Sequence, residues 1–320
     1  MIGRSIPRAA LAVFLLCTAA RAGDWSVPLV DGFDGSDFAA GRGLYYKQNF
    51  EQSAGKVSFQ GDVKLHGAGA LELSVRSICS AGDEGCSERA EVWEKPELWA
   101  PYDRGVWYGF AVKFGDPVPA DDHRYVIAQW KREILPGAKG DYSPFLALRL
   151  RKGHLFATVE TSYVAPDPAI AQSGREGCPA GATPVWFRPE TGQMRALVAT
   201  DAAWTADDND LYRGCTTAIA VSDHGNSLPL PSSGWVDFAI YSMPGPDGTG
   251  HIEIFANDRP VVTITGHIGH VADKGLGDRQ YFKFGPYRAA HTDEWTMYYD
   301  DFRRSPQCAD VMEEGSCPFR

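Results

Sequence analysis

Hydrophobic and polar residues alternate with a period of two along much of the chain, which is typical of β-strands that bury one face. Clusters of glycine, proline, asparagine and aspartate separate the alternating segments, as turns separate the strands of a sandwich. Helical periodicity is nearly absent. The pattern therefore predicts an all-β sandwich or jelly roll. The predicted strands include residues 71–76, 107–114, 125–131, 145–150, 155–160, 235–241, 251–255, 261–265 and 295–302.

One segment, residues 163–233, lacks this rhythm and is rich in proline, glycine, aspartate and alanine. Few strands are expected in it. Connections between strands are usually much shorter, so we interpret the segment as an insertion that contains Cys178 and Cys215. Inserted loops of a sandwich often form a wall of a binding site, although a surface decoration fits the sequence equally well.

The first 22 residues have the features of a secretory signal peptide. Arg4 and Arg8 precede a short apolar run, and Ala20-Arg21-Ala22 has the small residues of a cleavage site. The alternative is an uncleaved anchor, but the apolar run is short for a membrane span. Residues 23–320 are then expected to form a single domain, because no linker or repeat divides them. The mature protein is predicted to be secreted or periplasmic.

Cysteine usage agrees with export. Of the seven cysteines, Cys17 would leave with the leader. Six cysteines allow 15 disulfide connectivities, and proximity in sequence favours pairing of neighbours. Zinc binding is the alternative, but no Cys-x-x-Cys is present. The favoured pairs are Cys79–Cys86, Cys178–Cys215 and Cys308–Cys317.

The balance of charge limits the partners that can be expected. The formal net charge is −10, which argues against nucleic acid and anionic membranes. An acidic polysaccharide is not excluded, because it needs only a locally basic cleft. We expect a monomer that leaves the membrane with signal cleavage, although nothing in the sequence decides the oligomeric state.

Three predicted strands place polar side chains together on one face. In residues 281–288, Tyr281, Lys283, Gly285 and Tyr287 would share a side if the strand is regular, and the two phenylalanines would face the core. In residues 125–131, the residues that share a side would be Tyr125, Ile127, Gln129 and Lys131. In residues 87–92, Arg89 and Glu91 would do so. Each of these could also be ordinary solvated or packed side chains, but three such strands together indicate a site.

These segments resemble the jelly-roll polysaccharide lyases. Residues 281–288, YFKFGPYR, are similar to the Y-F-K-x-G-x-Y strand of alginate lyases and of relatives of heparin lyase I and glucuronan lyase. Residues 87–92, SERAEV, resemble the R-x-E segment of the same family, and residues 127–131, IAQWK, resemble its Q-x-H strand. The terminal strand, residues 295–305, resembles that of the heparin-lyase-I-like group. The resemblance implies a concanavalin-like β-jelly roll.

The resemblance also implies a reaction, the β-elimination of a polysaccharide that contains uronic acid. Removal of the proton at C5 puts negative charge on the sugar carboxylate, which needs hydrogen-bond donors or cations to stabilise it. A base takes this proton, and an acid protonates the leaving oxygen O4. By analogy, the catalytic residues would be Tyr287 as acid, with a second role as base left open, Gln129 and Arg89 as neutralising groups, and Lys131. The residues expected to bind substrate are Lys283, Glu91, Arg288 and Tyr281.

The sequence departs from the family pattern at one position, since Lys131 stands where the family has histidine. A lysine acts as a base only where burial or nearby positive charge removes its proton, and otherwise it binds a carboxylate. His66, His123 and His154 are elsewhere in strand-rich regions, and one of them could enter the cleft from a neighbouring strand.

No cofactor is expected for the chemistry. A structural Ca²⁺ could join the ends of the domain through Asp31 and Asp301, because this cation prefers oxygen ligands. Ordinary turn chemistry at residues 31–35 is the favoured interpretation. Two other functions stay open. A non-catalytic glycan-binding sandwich would explain Lys131, and a glycoside hydrolase would need two carboxylates beside the scissile bond. Glu88, Glu91 and Glu94 recur every three residues and would not face one side of a strand.

Overall fold

The architecture comes from a computed structural model of the 320-residue chain. It describes residues 25–38, 45–49, 54–80, 83, 85–139, 142–162, 177–189, 191–272 and 275–318, with the backbone alone for residues 45–49 and 314. The predicted signal peptide lies outside the described residues. Within the described ranges, the helices are short 3-10 turns at Pro96–Leu98, Ala206–Leu211, Pro231–Ser233, Cys308–Asp310 and Glu314–Ser316. None of the described helices has the length and apolarity that a bilayer crossing requires.

The strands account for most of the ordered secondary structure. Those up to residue 151 are β1 (Leu29–Asp31), β2 (Tyr45–Asn49), β3 (Gly55–Gln60), β4 (Ala70–Val75), β5 (Ser87–Arg89), β6 (Glu91–Glu94), β7 (Ala100–Pro101), β8 (Val106–Phe114), β9 (Tyr125–Ile134) and β10 (Leu146–Arg151). Those that follow are β11 (His154–Thr161), β12 (Thr183–Arg188), β13 (Gln193–Thr200), β14 (Gly214–Thr216), β15 (Ile219–Asp223), β16 (Trp235–Met243), β17 (Gly245–Ala256), β18 (Arg259–Ile268), β19 (Leu276–Ala289) and β20 (Trp295–Ser305).

Two antiparallel sheets face each other, which confirms the predicted jelly-roll sandwich. Sheet I has the order β15-β18-β17-β16-β8-β20-β4-β3, with β1 beside β20. Sheet II has the order β14-β12-β13-β11-β10-β9-β19-β6-β2, with β5 and β7 also beside β19. Neighbours in space are often distant in sequence, as where β20 lies between β4 and β8.

Aromatic side chains from both sheets fill the space between them. Phe110 of sheet I lies 5.6 Å from Phe282 of sheet II, centroid to centroid, and Tyr108 lies 5.7 Å from Trp130 in an edge-to-face arrangement. All four are almost fully buried. Alternation along β8, β9 and β19 supplies these rings, because every second side chain of a strand faces the same sheet surface.

The segment 163–233 contains more regular structure than the sequence indicated. Its described part contributes β12, β13, β14 and β15, and β13 pairs with β11 over six residues. Met194, Ala196 and Val198 of β13 join the main core. The expectation of few strands is therefore wrong for this part, because the eight residues of β13 form a strand that buries Met194, Ala196 and Val198 in the core. Residues 163–176 lie outside the described residues.

Three disulfides have the predicted pairing. The bonded pairs are Cys79–Cys86, Cys178–Cys215 and Cys308–Cys317. Cys178–Cys215 joins the loop before β12 to β14, and the other two close loops of 7 and 9 residues. With all six of these cysteines bonded, the described part of the chain offers no thiol to a metal.

Candidate active site

The outer face of sheet II carries a cleft of about 630 Å³. The side chains that line it come from β5, β9, β10, β11, β12, β13 and β19 and from the loops beside them. Cationic groups predominate among the charged lining side chains that the structure describes, and Asp122 is the acidic one. The cationic residues are Arg89, Arg124, Lys131, Arg149, Arg151, Arg188, Arg195 and Lys283. The cleft is therefore locally basic, although the whole chain is acidic.

Strand β19 supplies Lys283 and Tyr287 to the cleft. Phe282 and Phe284 face the core, as expected. The strand is not regular, however, because its register against β9 shifts between Phe284 and Tyr287. Gly285 lies in this bulge with a φ of 121°, and a Cβ on it would lie 2.1 Å from the carbonyl oxygen of Ala90. The expectation that Gly285 shares the side of Lys283 is wrong, because the bulge turns it inward.

Strand β9 supplies Gln129 and Lys131. Its register against β10 skips Ile127, so two consecutive residues, Ile127 and Ala128, belong to the core cluster. Val126 therefore faces the cleft where simple alternation predicts Ile127. Tyr125 is 1 % exposed and packs edge-to-face against Trp295. The predicted common face of β9 is correct for Gln129 and Lys131 and wrong for Ile127, while Tyr125 borders the cleft and packs its ring into the core.

Two guanidinium groups contact the ring of Tyr287. The Cζ atom of Arg89 lies 4.0 Å from the ring centroid, and that of Arg124 lies 4.8 Å from it. The register places Arg89 on β5 directly opposite Tyr287. Tyr287 is half-buried and lines the cleft. Positive charge is thus concentrated where a phenol could exchange a proton with a bound anionic sugar.

Glu91 lies beneath the cleft, not in its lining. It is fully buried, and its two carboxylate oxygens accept hydrogen bonds from Nε2 of Gln129 and, at 2.9 Å, from Nζ of Lys283. Both donors line the cleft. The structure therefore does not place Glu91 where it could bind substrate directly, and gives it the role of holding two cleft residues in position.

Two other residues expected to bind substrate do not line the cleft. Arg288 is 1 % exposed, and its Nε donates to Glu88 at 2.6 Å. Tyr281 is 4 % exposed and stacks on Trp99 with centroids 4.7 Å apart. Both side chains are occupied with internal packing, and sequence alternation alone could not distinguish this from exposure.

The far end of the cleft carries charged residues that the sequence interpretation did not identify. Buried Glu160 accepts from Arg195 Nε at 2.8 Å and from Arg188 Nη1 at 3.2 Å. Burial alone would raise the pKa of Glu160, but Arg195, His270 and Arg188 together lower it. Arg195 also lies over the ring of Trp186. The described part of the segment 163–233 therefore forms one wall of the cleft.

Arg149 adds a cation without a carboxylate partner among the described residues. It is 5 % exposed, lines the cleft and donates from Nε to Thr158 at 3.0 Å. Burial, followed by the charge of Arg195, lowers its pKa to about 9. A bound anion would relieve this cost, because a buried cation is stable only with a compensating charge.

Of the three histidines considered in the sequence, His123 lies in the cleft lining. His66 contacts Asp301 on sheet I, and His154 lies 3.1 Å from Asp201. His123 reaches the cleft because it lies just before β9, and only the folded chain shows this proximity.

The acidic residues at the ends of the domain accept hydrogen bonds from backbone N–H groups. Asp31 accepts from the Phe33 N–H at 2.9 Å, and Asp300 accepts from the Leu65 and His66 N–H groups. The calcium site at Asp31 and Asp301 stays a prediction. Among the described residues, the group of three side chains close enough to share a metal ion is Asp121, His123 and His291, with ligand atoms within 4.8 Å of one another.

The carboxylates considered for a glycoside hydrolase are not paired in the cleft. Glu88, Glu91 and Glu94 are fully buried and form ion pairs with Arg288, Lys283 and Arg304, respectively. None of the three lines the cleft. These three glutamates therefore do not supply the two carboxylates that would flank a glycosidic bond.

Three solved structures are similar to this chain, and the first of them, with a TM-score above 0.5, agrees with the fold. An endo-β-1,4-glucuronan lyase from the fungus Trichoderma reesei superposes with a TM-score of 0.56 at 16% identity, covering 88% of this chain and 97% of that one. The cellulose-induced protein Cip1 gives a TM-score of 0.46 at 14% identity, covering 87% and 97%. The alginate lyase Aly36B gives a TM-score of 0.41 at 11% identity, covering 87% and 96%.

Sequence comparison identifies the family. A search of curated proteins gives no significant match. The model of the polysaccharide lyase family matches residues 41–303, which include every strand from β2 to β19 and most of β20. The chain therefore belongs to the polysaccharide lyase family.

Proposed function

We propose that this protein is an exported lyase that cleaves an acidic, uronic-acid-containing polysaccharide by β-elimination. The observation that carries the proposal is the contact of the Tyr287 ring with Arg89 and Arg124 in a cleft dominated by cationic side chains. Family membership supports a polysaccharide as substrate. Three disulfides support export, because such bonds persist in oxidising compartments.

The proposed chemistry needs a stabilised carbanion beside the sugar carboxylate. The C5–H bond and the C4–O4 bond break, a C4=C5 double bond forms, and O4 leaves with a proton. Arg89 and Gln129 would donate to the carboxylate as its negative charge develops. The Gln129 amide has two N–H groups, and Glu91 accepts one of them. Tyr287 would give its proton to O4 as the general acid.

Three further lining residues would bind the chain of sugars. Lys131 lies on the same face as Gln129, and its ammonium suits a neighbouring carboxylate. Trp186 offers a flat ring, and Arg149 a buried cation, further along the cleft. The strand spacing places β10 two strands, or about 10 Å, from β19. The cleft therefore extends beyond one sugar, which suits a polymer.

The direct test is the appearance of the unsaturated uronate, whose conjugated double bond absorbs ultraviolet light. Purified protein would be incubated with alginate, glucuronan, heparin, heparan sulfate, hyaluronan and pectin. We expect the absorbance to rise with one polymer. Mass spectrometry should then show unsaturated ends in the products of that polymer. Products that have gained water would contradict β-elimination.

A non-catalytic glycan-binding function is the second candidate. The observation that favours it is Lys131 at the position where the family motif has histidine. This function predicts saturable binding of an acidic polysaccharide, measured by calorimetry, without any unsaturated product from that polymer after prolonged incubation.

A further inference from the structure

Asp121 is the centre of a hydrogen-bonded group at the mouth of the cleft. Its Oδ1 lies 2.6 Å from Nδ1 of His123, and its Oδ2 lies 3.1 Å from Nε2 of His291. Tyr125 donates its hydroxyl hydrogen to Oδ2 at 2.9 Å, and the His123 backbone N–H donates to Oδ1 at 2.9 Å. The two imidazole rings pack edge-to-face with centroids 5.2 Å apart. The carboxylate is thus held between two histidines.

The hydrogen bonds determine which ring nitrogens carry protons. The Asp293 N–H donates to Nδ1 of His291 at 3.1 Å, so this nitrogen is an acceptor and the ring proton lies on Nε2. His291 then donates from Nε2 to Asp121. His123 donates from Nδ1 to the same carboxylate, which makes Nε2 of His123 the basic nitrogen. None of the described residues forms a hydrogen bond with this Nε2 atom.

The same hydrogen bonds argue against a metal ion at this group. A metal bound to Nε2 of a neutral His291 would require the proton to move to Nδ1, where the Asp293 N–H already donates. The three side chains fit a hydrogen-bonded unit better than a ligand set, although their ligand atoms lie within 4.8 Å of one another.

Burial of Asp121 by itself would raise its pKa, but hydrogen bonds from Tyr125 and His123 outweigh this effect and lower it. The carboxylate stays ionised under ordinary conditions and can stabilise a positive charge on His123. An aspartate that orients a histidine and stabilises its imidazolium is the arrangement by which many enzymes make a general base.

His123 is placed to act on a bound sugar. Its side chain is 45% exposed and lines the same cleft as Tyr287. The adjacent residue, Arg124, contacts the ring of Tyr287, and Val126 pairs with Tyr287 across the strands. The mouth of the cleft therefore has an acid from β19 and a basic imidazole from the start of β9.

We propose that His123 is the general base that removes the C5 proton, with Asp121 and His291 as positioning residues. The inference rests on the proposed lyase function. Nε2 of His123 takes the proton from C5, the electron pair forms the C4=C5 bond, and O4 leaves with the proton of Tyr287. The base comes from the segment just before β9. Lys131, on β9 itself, then has no part in proton transfer.

The test compares His123→Ala with His66→Ala on a polymer that the wild-type enzyme cleaves. Both histidines contact an aspartate, but His66 lies outside the cleft lining. Loss of a general base lowers kcat by about 10²–10⁴-fold. We expect this loss for His123→Ala, with an unchanged thermal midpoint, and no loss for His66→Ala. Added imidazole should restore part of the His123→Ala rate, which a structural defect would not permit.

Two further measurements complete the test. Asp121→Asn should lower kcat, and the double variant should be no slower than His123→Ala alone, because residues that act as a unit are not additive. The wild-type enzyme should keep its activity after dialysis against a chelator. Full activity of His123→Ala, or a chelator-induced loss reversed by Zn²⁺ and not by Ca²⁺, would overturn the assignment. Absence of wild-type lyase activity on every polymer would instead refute the proposed function.

Discussion

The buried pair of Glu91 and Lys283 allows a quantitative test of how the cleft is held together. Both side chains are almost fully buried, and Nζ of Lys283 lies 2.9 Å from Glu91 Oε2. Glu91→Gln keeps the size of the side chain and removes its charge, so the ammonium loses its buried counterion. Breaking a buried pair in this way costs about 3–5 kcal/mol.

The cost can be converted into a thermal midpoint. An unfolding entropy of about 2.1 cal/mol/K per residue gives roughly 0.6 kcal/mol/K for a folded unit of about 300 residues. A loss of 3–5 kcal/mol then lowers the midpoint by about 5–8 °C. Differential scanning calorimetry under non-reducing conditions measures it.

Glu72→Gln is the matched control. Glu72 and Lys56 form an ion pair at 4.0 Å on sheet I, with Lys56 69% exposed. A surface pair contributes about 0–1 kcal/mol, so the midpoint should fall by less than about 2 °C. Adding Lys283→Met to Glu91→Gln should recover most of the loss in the thermal midpoint, because neither position of the pair then carries a buried charge. Equal shifts for Glu91→Gln and Glu72→Gln, or no recovery in the double variant, would refute the reasoning.

Three further predictions concern acid stability, crosslinking and catalysis. The pKa of Glu160 is lowered from 4.5 in the folded protein. Its ionised carboxylate therefore stabilises the fold above about pH 4.5, and this stabilisation is lost as the pH falls through the folded pKa. Between pH 6 and about 3, the urea midpoint should fall less for Glu160→Gln than for the wild type. Replacing Cys178 and Cys215 by alanine opens a loop of 37 residues. The free energy of unfolding in urea should fall by about 4 kcal/mol. An unchanged urea midpoint would show that the bond does not constrain the unfolded chain. Arg89→Ala should lower kcat by about 10²-fold with a smaller change in KM, and steady-state rates showing a change in KM alone would assign Arg89 to ground-state binding.

Outside the segment 163–233, the sequence was sufficient for the long strands and for the strand faces that carry Gln129, Lys131 and Lys283. Alternation determines these faces because each strand keeps a period of two between irregularities. It could not show the bulges at Ile127 and Gly285, since a one-residue shift in register depends on the partner strand.

The remainder of the cleft depends on contacts between distant segments. Arg149, Arg188 and Arg195 line it because β10, β12 and β13 lie side by side in sheet II, which periodicity alone does not reveal. Glu91 and Arg288 are buried and form ion pairs with Lys283 and Glu88, which the pattern of the sequence does not reveal. Whether a polar side chain faces substrate or a buried partner is decided by tertiary packing.

The most direct test of the central claim compares Tyr287→Phe with Tyr142→Phe. Both tyrosines line the cleft, and Tyr142 donates its hydroxyl hydrogen to the Lys139 carbonyl. The substrate would be the polymer on which the wild type forms unsaturated uronate ends. We predict that Tyr287→Phe lowers the rate of product formation by at least about 10²-fold while polymer binding persists, and that Tyr142→Phe retains most activity. Equal rates of unsaturated product formation for the two variants would contradict the account.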